Sequence, residues 1–344
     1  MGVSITNLLP SKEIALNDLN GKLIAIDTSL FLYQFLSTIR QRDGTPLMDS
    51  KGRVTSHLSG LFHRTIKLLE KGIKPIFVFD GKAPELKKKE QARRAQLKEE
   101  AKSKYEKAAV EEDTESMKKY AMRTSKLTTE MVNEAKEILI AMGVPIVQAP
   151  SEGEAQASYL VKKGEVYAIA SSDADSLLFG AQRVIKNLAI TGRKKKTNTL
   201  SYEIIKPELI ELDKVLENLE ISHDQFIALC ILVGTDYNPG GIKGLGPKKA
   251  WDTVKKYNED FASMFMDMKW DEFFDFPWED VFELIKNMPV TDDYDIEFNN
   301  LDREKIIELL VIEHDFSKDR IESSLNSLSK SESKRKQKGL GEFF

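Results

Sequence analysis

Three separate runs of β-branched and aromatic residues each close on an aspartate. They are "KLIAID", ending at Asp27, "KPIFVFDG", ending at Asp80, and "VYAIASSDAD", ending at Asp173 and Asp175. Helical patterns lie between them, notably "TSHLSGLFHRTIKLLEKG" and "TTEMVNEAKEILIAMGV", and Thr28 or Ser29 is suited to cap the helix after the first run. Strands alternating with helices predict an α/β fold with a mostly parallel twisted sheet flanked by helices. Parallel strands point one way, so residues just past their C-terminal ends gather along one edge, where ligands of such sheets bind. The four aspartates are therefore expected to meet.

With 344 residues, 41% apolar and 31% charged, the chain can bury a substantial core. Its one cysteine, Cys230 in "FIALCILVG", excludes an internal disulfide and suits core packing in a reducing compartment. That apolar run is far short of the ~20 residues a bilayer span needs. The N-terminus lacks a signal-peptide pattern, so a soluble, cytoplasmic protein is expected. "MGVSIT" fits the N-myristoylation pattern on Gly2, with no second anchor to support it.

A net charge of -4 carries no overall signal for nucleic acid, but the cations are unevenly spread. Between Lys82 and Lys126 stand 14 Lys and Arg against 9 Asp and Glu, with few large apolar residues. Lys87, Gln91, Arg94 and Lys98 recur at the spacing of one helix face. On charge pattern alone this is a solvated helix with i,i+4 ion pairs. The C-terminal third reads as helical until Ser323, where "SSLNSLSKSESKRKQKG" has the composition of a disordered tail that nevertheless ends in "LGEFF".

Singly, the acids have ordinary explanations. Ser151 to Glu154 is a capping box, Glu152 suits the first turn of a helix, and Asp80 with Gly81 suits a turn. Collectively they do not: Asp27, Asp80, Glu152, Glu154, Asp173, Asp175 and Asp236 of "LVGTDYNPGG" facing one cleft would repel one another unless cations compensated them. Hard divalent ions such as Mg²⁺ do so with carboxylate oxygens, whereas four histidines and one cysteine show no zinc spacing. Two metals on carboxylates are what phosphodiester hydrolysis needs.

"AIDTSLFLYQF", "FVFDGKAPELK", "APSEGEAQA", "ASSDADSLLFG" and "LVGTDYNPGGIKGLGPKKA" together resemble the structure-specific 5′ nucleases, most closely the flap endonucleases of archaeal and eukaryotic type. The resemblance spans nearly the whole chain, and all seven of the family's metal-site acids have a counterpart. It implies a Mg²⁺-dependent enzyme with two ions per subunit. Such an enzyme cuts 5′ flaps at their junction with duplex DNA, with 5′-3′ exonuclease activity, in replication and base excision repair. The basic stretch then corresponds to a helical arch, with Lys87 and Arg94 as cations on the scissile phosphate. Tyr33 matches a tyrosine on which a base stacks, though from sequence it could equally be a core aromatic.

"GIKGLGPKKAW" matches a helix-two-turn-helix, in which Gly244 and Gly246 let backbone approach a phosphate and Lys248 and Lys249 add charge. The resemblance adds a potassium ion there. "QKGLGEFF" fits a sliding-clamp box through Gln337, Leu340, Phe343 and Phe344, and its position at the end of the chain suggests an archaeal member. The family's Gly2 lies near the active site, which favours a structural role over myristoylation. His63 stands where a tyrosine is expected.

The implied organisation is 1-106, nuclease region with the start of the arch; 107-130, the rest of the arch; 131-265, internal nuclease region with the helix-two-turn-helix. The last two parts are 266-322, helical, and 323-344, a disordered tail carrying the clamp box. A monomer is expected. Excision-repair relatives carry a long insertion between Asp80 and Glu152, and mismatch-repair exonucleases a large C-terminal extension. A non-catalytic junction-binding protein would not need all seven acids, and a small-substrate phosphatase would need neither basic arch nor clamp tail.

Overall fold

The computed structural model describes residues 3, 5–41, 43–110, 113, 116, 120, 124–171, 173–188, 192–195 and 202–341. Strands β1 (Lys12–Glu13), β2 (Leu23–Asp27), β3 (Lys74–Phe79), β4 (Ile146–Gln148), β5 (Ala168–Ala170), β6 (Arg183–Lys186) and β9 (Glu208–Glu211) form one sheet, in the order β1-β9-β6-β5-β2-β3-β4. Strands β2 to β6 pair in parallel, while β9 and β1 add an antiparallel edge. A separate hairpin joins β7 (Gly192–Lys195) to β8 (Tyr202–Ile205). The expected mostly parallel sheet is therefore present.

The helices are α1 (Thr28–Thr38), α2 (Ser56–Glu70), α3 (Lys88–Val110), α4 (Thr129–Ala141), α5 (Gly153–Lys162), α6 (Asp175–Leu178) and α7 (Leu212–Leu219). They continue with α8 (His223–Val233), α9 (Pro247–Tyr257), α10 (Phe261–Asp267), α11 (Trp278–Lys286), α12 (Arg303–Ile307) and α13 (Lys318–Gly341). A π-helical turn, Glu308–Glu313, follows α12.

Side-chain alternation explains why the strands read as continuous apolar runs. Ile24 and Ile26 join one core cluster with Phe31 and Phe35 of α1, Phe62 of α2 and Leu139 of α4. Ala25 between them faces the other cluster, with Leu160 of α5 and Phe226 of α8. Both faces are thus covered. Chain order runs outward from β2 to β4 on one side and resumes at β5 on the other, so the switch point lies between β2 and β5. Asp27 ends β2 and Asp173 follows β5, which puts that crevice between two of the acids.

The C-terminal segment corrects the expectation of disorder from Ser323: α13 runs unbroken from Lys318 to Gly341. Ile321, Leu325 and Leu328 recur at helical spacing and are buried against the cluster that contains α2. Arg335 then donates to the carbonyls of Leu69 (2.7 Å) and Glu70 (2.9 Å) at the C-terminus of α2. The Leu69 carbonyl also accepts from the Gly72 N–H at 2.9 Å, and a cation is favoured at this helix end. Lys and Ser dominate the composition, and the apolar spacing beneath them is what decides.

Candidate active site

Each acid is held by the end of an element. Asp27, not Thr28 or Ser29, caps α1, accepting from the Leu30 N–H at 3.1 Å. Asp80 follows β3 and accepts from the Gly153 N–H at 2.7 Å, which ties the β3 loop to the start of α5. The two loops touch through backbone: the Gly81 N–H donates to the Ser151 carbonyl at 2.6 Å. A Cβ on Gly81 would lie 2.3 Å from the Ala149 carbonyl oxygen and 2.5 Å from that of Pro150, so only glycine fits.

The expected capping box at Ser151 is not formed. Glu152 is the residue that precedes α5, and the Ser151 hydroxyl donates to the Lys82 carbonyl at 3.0 Å instead. Glu154 accepts from the hydroxyls of Ser171 (2.7 Å) and Ser176 (2.9 Å), because its carboxylate points into the crevice and away from the helix end. Asp175 opens α6 and accepts from the Val3 N–H at 2.8 Å. Asp236 sits in a turn organised by buried Asn238, which accepts from the Thr235 N–H and hydroxyl and donates to the Ile231 carbonyl.

The seven carboxylates form one electrostatic network. Burial and then Asp80 push Asp27 up to about 8. Asp175 is pushed up to about 7 by burial, with Asp236 and Asp173 adding to it. Glu154 is raised well above the usual carboxylate range by burial, then by Asp27, Asp175 and Asp173. Glu152 is raised by burial and by Asp80 and Asp236, against the opposing pull of Lys87. So the convergence expected from three strand ends is realised, with Glu152, Glu154 and Asp236 joining from helix ends and a turn.

The basic stretch meets this network. Lys87 places its ammonium 2.5 Å from Glu152 and 3.5 Å from Asp236. Burial works against that charge, but Glu152 and Asp236 outweigh it, and the ammonium is held more firmly protonated than usual. Seven residues later in the chain, Arg94 donates to Asp236 and to Glu90, both at 2.6 Å. The i,i+4 pairs of a solvated helix are present too, as Arg94 with Glu90 shows, so the charge pattern served both purposes. Lys89 anchors the start of α3 through Asp275 at 2.6 Å and lies over the Phe276 ring.

Residues 1–101 match the XPG N-terminal domain and residues 143–236 the XPG I-region, and these two spans contain all seven acids with Lys87 and Arg94. The "Flap endonuclease 1" of Pyrococcus abyssi is 53% identical over 344 residues, 100% of this chain and 98% of that protein. The chain belongs to the flap endonuclease family. Among solved structures, the flap endonuclease-1 from Methanococcus jannaschii has a TM-score of 0.76 at 43% identity, covering 97% of this chain and 100% of that one. The catalytic core of Rad2 in complex with DNA substrate, at 24% identity and a TM-score of 0.67, covers 92% of this chain and 96% of its own and shares the fold. A flap endonuclease is a structure-specific nuclease, and the crevice is accordingly the candidate site of phosphodiester hydrolysis.

The remaining residues singled out in sequence fall around this crevice or beyond it. Tyr33 is 38% exposed on α1, so it is not a core aromatic, and the Lys98 ammonium lies 4.7 Å from its ring centroid. Between α8 and α9, Gly244 takes a φ of +86°, and Gly246 precedes Pro247 at the start of α9 with open space where its Cβ would be. Lys248 and Lys249 are exposed in the first turn of that helix, so the helix-two-turn-helix element is present. Gly2 lies outside the described residues, as do Phe343 and Phe344; Gln337 and Leu340 lie on α13, where only backbone is described.

The donor set suits a hard dication: seven carboxylates, several of them buried and mutually raised, while the one cysteine, Cys230, is kept a protonated thiol by burial. Among the described residues no three acidic, imidazole or thiol side chains close on one point as a complete cage would. Mg²⁺ characteristically keeps several of its waters and needs no such cage. Sequence reasoning missed Glu90, Ser171, Ser176 and Asn238, which orient the charged groups; an acid inside a basic run, four residues before Arg94, was the available signal for Glu90 alone.

Proposed function

We propose that the chain is a Mg²⁺-dependent 5′ flap endonuclease with 5′-3′ exonuclease activity, acting in Okazaki fragment processing and base excision repair and leaving a 5′-phosphate and a 3′-hydroxyl. The observation that carries this reading is the reach of Lys87, from the turn just before basic helix α3, and of Arg94, on α3, onto Glu152 and Asp236 of the seven-acid crevice. That is where a phosphate bound at the crevice would need cations.

Asp27, Asp80, Glu152, Glu154, Asp173, Asp175 and Asp236 are the residues to hold two Mg²⁺ ions, which when bound supply an activated water and Lewis-acid stabilisation of phosphate charge. Lys87 and Arg94 exchange a carboxylate partner for the scissile phosphate and stabilise the negative charge that grows on its oxygens. Tyr33 offers a face for the neighbouring base, which stacks without regard to sequence. Gly244, Gly246, Lys248 and Lys249 grip backbone phosphates of the duplex, with a potassium ion at the turn. Such contacts fix register and orientation without reading bases, as a junction-selective enzyme requires. Gln337, Leu340, Phe343 and Phe344 tether the enzyme to a sliding clamp.

An end-labelled double-flap DNA incubated in Mg²⁺ and in EDTA tests the reading. A single Mg²⁺-dependent cut at the junction is expected, and Asp173→Ala should abolish it while leaving junction binding within about threefold, because phosphate contacts remain. Turnover retained by Asp173→Ala refutes the metal assignment. Tight binding without any cut supports the junction-binding alternative instead.

A further inference from the structure

Glu90 is the anomaly of the basic helix. It lies among Lys88, Lys89, Arg93 and Arg94, yet it is only 3% exposed, whereas most charged residues of α3 face solvent. Both its oxygens are engaged. Oε2 accepts from Arg93 Nε at 2.7 Å, and Oε1 accepts from Arg93 Nη2 at 2.8 Å and from Arg94 Nε at 2.6 Å. Arg93 thus grips the carboxylate with two donors and leaves one oxygen edge for Arg94.

Arg94 divides its donors. Its Nε is held by Glu90, four residues back on the same helix, while its Nη2 points 2.6 Å from Oδ1 of Asp236 in the crevice. These two contacts differ in kind. Asp236 is exchangeable, since a phosphate or a metal competes for it in the working enzyme. Glu90 is outside the seven-acid network, is buried and is clamped by Arg93, so it is not one of the groups a phosphate or metal would claim. An arginine released from Asp236 would otherwise be free to sample its many rotamers and to hydrate. A charge-assisted bond to Nε keeps the guanidinium aimed while leaving Nη2 for the incoming oxygen. Glu90, Arg93 and Arg94 together keep one net positive charge, so the aim is gained without cancelling the cation.

We propose that Glu90 is a positioning residue for phosphodiester cleavage, holding the Arg94 guanidinium with Nη2 directed at the crevice so that it meets the scissile phosphate already oriented. This rests on the reading of Arg94 as a cation of the reaction. It locates the effect of Glu90 in the cleavage step and not in DNA affinity.

The test is a double-mutant cycle in the full chain on double-flap DNA with Mg²⁺, following single-turnover cleavage and, separately, the Kd for the flap in Ca²⁺. Glu90→Gln keeps the shape and removes the charge. It should slow cleavage about tenfold, as expected when a charge-assisted hydrogen bond becomes a neutral one, with Kd within about twofold. Glu90→Asp, which keeps the carboxylate, should recover most of the rate. Combined with Arg94→Ala, which alone should be slower still, Glu90→Gln should have no further effect.

A full Glu90→Gln penalty in the Arg94→Ala background overturns the proposal, as does a loss confined to Kd or no loss at all. Arg94→Ala cutting at the wild-type rate overturns both this inference and the assigned role of Arg94. A wild-type chain that binds the flap and leaves it uncut overturns the functional reading on which both depend. If Arg94→Ala is slow and the Glu90 effect is independent of it, only the role of Glu90 fails.

Discussion

The ammonium of Lys87 and the carboxylate of Glu152 are in contact at 2.5 Å, with Asp236 a further 3.5 Å from the same nitrogen. A cation contributed by one segment therefore sits on two acids contributed by others. This pairing sets Lys87 in competition with any dication for the same oxygens, because one carboxylate cannot fully compensate both. Lys87→Ala is expected to lower single-turnover cleavage by about a hundredfold, the loss typical of one preorganised charge-stabilising donor. It should also lower the Mg²⁺ concentration at the midpoint of thermal stabilisation. Titrating Mg²⁺ in a melting experiment checks this, and a higher midpoint in the variant would sink the competition argument.

The crowded carboxylates make stability depend on pH in a stated direction. Asp27 is pushed up to about 8 and Asp175 to about 7 from ordinary values of 3.8, so the folded protein holds protons that the unfolded chain has already released. That stabilising difference is whole below the unfolded value and is lost as pH rises through 7 and 8. In EDTA these groups should therefore lower the melting temperature progressively between about pH 4 and about pH 8, and saturating Mg²⁺ should flatten the fall by replacing the protons. Asp27→Asn removes one of the groups while keeping an acceptor for Leu30, and should raise the melting temperature in EDTA at the alkaline end by about 3 °C. A melting temperature that climbs with pH in EDTA would contradict the account.

Gly81 joins the loop that carries Asp80 to the loop that carries Glu152. Gly81→Ala should destabilise the fold by about 2 kcal/mol, since the added carbon meets two carbonyl oxygens of a backbone that cannot swing aside. Cleavage should fall further than stability alone explains, because the separation of Asp80 and Glu152 changes. Denaturant unfolding and single-turnover cleavage at a temperature where the variant is folded distinguish the two effects. Wild-type rates with lowered stability would mean that the two loops tolerate being moved apart.

Much of this site was legible because strand ends announce themselves: an apolar run closing on aspartate, three times over, leaves little choice about which edge the acids share. The cations were ambiguous for a physical reason. Arg94 belongs both to an i,i+4 pair with Glu90 and to the crevice, and one spacing describes both. The capping box at Ser151 misled because the motif is local, whereas the Ser151 hydroxyl is claimed by the Lys82 carbonyl, 69 positions away in the chain. Pairings of that range leave no periodic trace. The buried contact of His57 with Glu134 at 3.0 Å, and of His314 with Asp49 at 3.4 Å, is equally invisible in one dimension.

The C-terminal helix is anchored through its first part. Ile321, Leu325 and Leu328 are buried against the α2 side of the core, and Arg335 is fixed on the last carbonyls of α2. Arg335 is the last residue of α13 whose side-chain contacts are described, and Gln337 follows it in the chain. Removing Gln337 to Phe344 leaves every described contact of α13 in place, and the melting temperature should stay within about 1 °C. Clamp-free cleavage should be unchanged, and stimulation by a sliding clamp should be lost. Removing everything from Lys318 is a different operation. It exposes the partners of three buried aliphatic side chains, each contributing about 1.5 kcal/mol or more, and leaves the α2 terminus without its cation. That variant should unfold at a temperature lower by about 10 °C or be insoluble. Equal stability of the two truncations would mean that α13 merely lies on the core without holding it, and clamp stimulation surviving the short truncation would remove the tail from the interaction altogether.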